Sequence, residues 1–117
     1  MSKDFVFPEI DEIGIDTLDS ISFATNFNRY MYDTIKPFCK GEILEIGSGI
    51  GNISKFFIDE NARISLTDIR ENYLDILREK FDSKSIYNLD LVDPDFDAKF
   101  KHVFSGYDSI FALNVVE

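Results

Sequence analysis

The segment Gly47-Ser48-Gly49-Ile50-Gly51 constrains this chain more than any other, because three glycines stand at alternate positions directly after Glu42–Ile46, a short segment carrying the apolar Ile43, Leu44 and Ile46. Glycines so spaced let the backbone turn through positive φ and leave main-chain amides open to a close neighbour, with no Cβ in the way. A short segment of this kind ending in such a turn reads as a buried strand, and the turn leads into a helix through about Ile58. The alternation then repeats. Residues 63–67 read as a second strand, 68–81 as a helix with Asp68 and Glu71 spaced as a capping box, and 85–89 as a third strand. Residues 93–103 are weakly helical, with Phe96, Phe100 and Val103 on one side. Residues 107–113 form a fourth strand whose nearly continuous apolar character predicts cover on both faces. Strands alternating with helices through short links predict an α/β fold, doubly wound, with a parallel sheet and helices on both faces.

Ahead of the first strand, Leu18, Ile21, Phe27, Tyr30, Met31 and Ile35 recur at helical intervals and predict a helix over 17–38, closed by Pro37. Residues 1–16 carry Pro8, Gly14 and several acids without a period, and are expected to form an irregular arm. At 117 residues there is material for one core and too little for two. The 12 Phe and 5 Tyr argue against a disordered chain. A net charge of −10 with no basic cluster argues against nucleic acid and anionic membranes as partners, since both require a concentrated positive face. The longest apolar run, 110–116, is broken by Asn114 and is too short to span a bilayer, and no signal-type apolar core follows the first residues. The single cysteine, Cys39, forms no intramolecular disulfide and reads as a small buried hydrophobe, so a cytoplasmic location is expected. His102 has no Asp, Cys or second His nearby in sequence, so it reads as a surface residue and no metal site is expected.

In doubly wound sheets ligands bind beyond the carboxyl ends of the strands, where strand order reverses, which selects the glycine loop. The helix after it offers unpaired N–H groups to a negatively charged ligand group. Asp68, at the end of the second strand, is placed to accept hydrogen bonds from both hydroxyls of a ribose; the competing role is to cap its helix. A dinucleotide fingerprint would need Gly or Ala where Asn52 or Ser54 stands. Glu45, two residues before the first glycine, also suits an ammonium better than a pyrophosphate, which it would repel.

These segments resemble the class I S-adenosylmethionine-dependent methyltransferases, from about Phe27 to the last residue. The resemblance is carried by Glu45-Ile46-Gly47-Ser48-Gly49-Ile50-Gly51, by Leu66-Thr67-Asp68, by Asn88-Leu89-Asp90-Leu91 and by Ala112-Leu113-Asn114-Val115-Val116-Glu117. It implies S-adenosylmethionine as cofactor, held by Glu45, Gly47, Ser48, Gly49 and Gly51 in the loop, by Asp68 at the ribose with Ile69 beside it, by Asp90 and Leu91 at the adenine, and by Asn114 near the sulfonium. It also implies that the helix bearing Phe27, Tyr30 and Tyr32 covers the methionine end, although an aromatic stripe at this spacing equally reads as core. The methyl group on a charged sulfur is attacked by a substrate N, O, S or C atom, so no protein nucleophile is required, and no residue is singled out as catalytic. The fourth strand runs into Leu-Asn-Val-Val and lacks the Asn- or Asp-Pro-Pro-aromatic sequence of base and glutamine methylation, leaving a small-molecule or protein acceptor.

The resemblance further implies strand order 3-2-1-4 at one side of a larger sheet, so residues 17–117 read as the cofactor-binding half of a methyltransferase domain, truncated after the fourth strand. A non-catalytic module that binds the cofactor or a protein is the alternative. The open fourth strand, 110–116, predicts self-association.

Overall fold

The computed structural model describes residues 14–81 and 85–113. Helix α1 (Gly14–Ile35) passes through a short 3-10 turn, Lys36–Phe38, into strand β1 (Glu42–Ile46). There follow α2 (Ser54–Asp59), β2 (Arg63–Asp68), α3 (Glu71–Lys80), β3 (Ser85–Asn88), α4 (Phe96–Phe104) and β4 (Ser109–Ala112). The four strands form one parallel sheet in the order β3-β2-β1-β4, the doubly wound α/β architecture that the alternation predicts. Helix α1 begins at Gly14, so the last three residues of the expected arm are helical; residues 1–13 lie outside the described ones. Pro37 ends the α-helix as expected, by starting the 3-10 turn.

Register divides the sheet into two faces. Ile43 and Ile64 are paired, as are Glu45 and Leu66, and these side chains share one face with Phe111 of β4, which pairs with Glu45. Helices α1, α2 and α3 cover that face through Tyr32, Phe57, Leu74 and Leu77, all buried with Ile43, Ile64 and Leu66 in one cluster. Tyr32 stacks on Phe56, meets Phe57 edge-on at 4.8 Å between centroids, and donates its hydroxyl proton to Glu60, which Lys36 also grips at 2.9 Å. This clasp fastens the long first helix to the end of α2. Cys39, half-buried, packs against the same cluster. On the opposite face Leu44, Ile46 and Leu89 form a smaller core with Tyr87, Phe96, Phe104 and Tyr107 around it.

Two expectations change. The fourth strand is shorter than 107–113 and is not covered on both faces: Phe111 packs on Phe57, while Ile110, on the α4 side, is 44% exposed and Ala112 is exposed too. Apolar character therefore reports what that strand could bury and not what covers it. The Asp68–Glu71 capping box does not form either. Asp68 is the last residue of β2, the N-cap position of α3 belongs to Arg70, and Glu71 accepts a hydrogen bond from the Asn88 side chain at 3.2 Å. The spacing is right for a box, but the strand runs one residue longer and takes Asp68 for itself. Among the described residues no helix is long and apolar enough to cross a membrane.

Candidate functional site at the carboxyl ends of the strands

Strand β1 ends at Ile46, opposite Thr67 and one residue short of the end of β2, and the two hand the chain to loops that bond across the sheet end. The Ser48 N–H donates to the Thr67 carbonyl at 2.7 Å, and the Thr67 N–H donates to the Ser48 hydroxyl at 3.2 Å. The glycine loop is thus fixed by its neighbour strand. Gly47, Gly49 and Gly51 all have positive φ, at 75°, 61° and 90°. The last two serve different needs. A Cβ on Gly51 would lie 2.7 Å from the Phe81 ring, so this glycine permits α3 to pack under the loop. A Cβ on Gly49 would meet nothing within 4 Å, so its surroundings are open. Lys80, at the end of α3, closes the loop's far side by donating to the Ile50 carbonyl at 2.7 Å.

Glu45, fully buried on β1, lies beneath this loop. One of its carboxylate oxygens accepts the Ser54 hydroxyl at the start of α2; the other, Oε2, has no partner among the described residues. Burial pushes its pKa up from 4.5 to about 7; the Ser54 and Ser48 hydroxyls hold it back somewhat, and the negative charge of Asp68 pushes it further. A half-ionised carboxyl with an orphaned oxygen is an acceptor without a donor, and such a group is costly to bury unless something supplies one.

Asp68 is 1% exposed. Its Oδ2 accepts the Gly49 N–H at 2.9 Å, joining the acid directly to the glycine loop, and its Oδ1 accepts the Arg70 N–H at 3.0 Å. The Arg70 guanidinium spans both oxygens, from Nε at 2.9 Å and from Nη2 at 3.2 Å. Burial alone would raise the Asp68 pKa, but the Arg70 side chain and the two backbone N–H groups outweigh it and hold the carboxyl below its ordinary value.

Ile69 follows Asp68 with more than half of its surface exposed, and Leu91, two residues beyond the buried Leu89, is exposed as well. Asp90 turns its carboxylate onto the Val92 N–H at 3.0 Å, a local turn-forming bond. Nine of the ten expected site residues therefore stand at the carboxyl ends of β1, β2 and β3, Glu45 and Asp68 within the strands and the other seven on the loops after them, and Asn114 lies outside the described residues. Tyr32 is no part of this site: it is buried in the core, whereas Phe27 and Tyr30 are exposed on α1. His102 is exposed, and among the described residues no group of His, Cys, Asp and Glu side chains could hold a metal ion. Sequence reasoning missed Ser54 and Arg70. The sequence carries a signal for each: a hydroxyl at the first residue of the helix after the glycine loop, and a cation two residues beyond Asp68.

A parallel sheet whose first strand ends in a glycine loop, bonded to an acid at the end of the second, is the doubly wound arrangement in which ligands bind beyond the carboxyl ends of the strands. The chain belongs to the methyltransferase domain family, whose model matches residues 44–117, well over half of it. No curated protein matches it by sequence. Among solved structures it is similar to the glycopeptide N-methyltransferase MtfA complexed with sinefungin, at 18% identity and a TM-score of 0.46, over 56% of this chain and 29% of that one. The chain thus spans less than a third of that protein's length.

Proposed function

We propose that this chain is the cofactor-binding part of an S-adenosylmethionine-dependent methyltransferase acting on a small-molecule or protein acceptor. The observation that carries the reading is the continuity of the site: Gly49 donates to Asp68 on one side of a loop that covers the orphaned Glu45 oxygen on the other. These residues fit the cofactor. Glu45 Oε2 lacks the donor that an ammonium group brings, and the open space at Gly49 leaves room for a ligand beside the backbone. Gly47, Ser48 and Gly51 shape the loop, Asp68 takes the ribose, Ile69 and Leu91 offer exposed apolar surface to the adenine, and Asp90 and Asn114 complete the contacts at the adenine and the sulfonium. When bound, the cofactor supplies a methyl group on a positively charged sulfur.

The chain's own residues bind and orient. Glu45 loses its proton when a cation arrives beside it, because the cation offsets the burial that keeps it half-protonated. Asp68 needs no such change and is already ionised. The apolar residues at the strand ends exclude water from the adenine side. A cytoplasmic location and the absence of nucleic acid as partner belong to the same reading, from the lone Cys39 and the charge of −10.

Calorimetric titration of the chain with S-adenosylmethionine, S-adenosylhomocysteine and NAD tests the reading. The sulfur nucleosides are expected to bind more tightly than NAD. Binding of NAD with no response to either sulfur nucleoside would overturn it.

A further inference from the structure

A carboxylate accepts about four hydrogen bonds, and Asp68 receives four N–H groups from its own chain. Two are backbone donors, Gly49 and Arg70, fixed by the loop and by the start of α3. The other two come from the Arg70 guanidinium, one to each oxygen. A ribose diol also offers two donors, one for each oxygen. The two groups compete for the same acceptor positions on a side chain that is 1% exposed.

We propose that Arg70 is a displaceable stopper on the nucleoside site: its guanidinium occupies the acceptor positions of Asp68 that a ribose diol would take, and it must leave before the diol enters. The inference rests on the reading of Asp68 as the ribose acid. Three features make the arginine fit the role. It sits two residues from Asp68, so it is always present and needs no partner. Its side chain is 45% exposed, so it has solvent to swing into, while that of Asp68 is 1% exposed. The Tyr73 ring lies 4.1 Å from the guanidinium carbon and offers the released cation a contact that does not depend on Asp68. Between ligands the stopper keeps a buried acid ionised and its acceptors satisfied, where otherwise the empty site would hold an uncompensated charge.

The test is a double-mutant cycle read by titration with S-adenosylhomocysteine on the full chain, with melting curves to confirm folding. Arg70→Ala is expected to bind about fivefold tighter than the parent, the scale of a partly exposed ion pair, and to associate faster because no stopper has to open. Arg70→Gln keeps most of the side chain's bulk and is expected to shift in the same direction. In an Asp68→Ala background the Arg70 substitutions are expected to change nothing. If Asp68→Ala weakens binding but neither Arg70 variant tightens it, the ribose reading stands and the stopper is overturned. Equal tightening with and without Asp68 would also overturn it, since the arginine would then act only through its charge. If Asp68→Ala binds as tightly as the parent, the ribose reading itself fails and the stopper falls with it.

Discussion

Glu45 and Asp68 lie on the same face of adjacent strands, yet burial and bonding drive them to opposite protonation behaviour. Folded Glu45 keeps a proton that the unfolded chain releases above its ordinary value of 4.5, so its contribution to stability falls as pH rises from 4.5 to about 7 and is flat beyond. Asp68 has the opposite sign: its contribution is present above 3.8 and is lost as pH falls through its lowered pKa. A cationic ligand selects ionised Glu45. Affinity for S-adenosylhomocysteine is therefore expected to rise with pH below about 7, by up to about tenfold per unit, and then level off. Proton release measured by calorimetry in buffers of different ionisation enthalpy checks this, and Glu45→Gln should bind more weakly with the dependence gone. An unchanged slope in Glu45→Gln would assign the proton elsewhere. At this scale both acids were legible in the sequence from their places relative to the glycines. The side chains that bond them, Ser54 and Arg70, were not, because they depend on which way each side chain turns once the helices dock.

The glycine loop was the clearest element in the sequence, but spacing alone made its glycines look equivalent. Structure separates them. Gly49→Ala meets no neighbour and carries only the strain of φ at 61°, about 1 kcal/mol, so the chain should stay folded while ligand affinity drops as the new methyl takes up open space. Gly51→Ala adds a collision with Phe81 at 2.7 Å and with Leu77 at 3.2 Å to a φ of 90°, and should cost about 2 to 4 kcal/mol of stability. Denaturant melts read beside titrations distinguish the two, and equal losses of stability would refute the division. The order of elements was legible for a related reason: apolar runs, glycines and Pro37 punctuate the chain locally. Element ends were less so. The capping-box spacing of Asp68 and Glu71 is a local pattern, and it was overridden when β2 continued to Asp68 and Asn88 of the neighbouring strand took Glu71. In the same way β4 reads as apolar throughout, while Ile110 on its α4-side face is 44% exposed.

At the scale of the molecule the consequence lies at the border of the sheet. Strand β4 pairs with β1 on one side, and among the described residues no strand pairs with it on the other. Its outer N–H and C=O groups form a template for another strand, and Ile110 and Ala112 add apolar surface beside it. Opposing this is a net charge of −10 on each copy, which repels at long range but is screened within about 10 Å at ordinary salt. Edge pairing acts at contact distance, so screening should tip the balance towards association. Sedimentation over a range of concentrations is expected to show reversible self-association that strengthens as sodium chloride is added. Ile110→Lys sets a cation on the exposed face of the edge strand and interrupts its apolar surface, and should shift the chain towards monomer with little loss of stability, because that side chain is already 44% exposed. The salt dependence distinguishes edge pairing from a charge-driven contact, which added salt would weaken. A chain that stays monomeric at every concentration and salt, unchanged by Ile110→Lys, would mean that the border of the sheet is already covered.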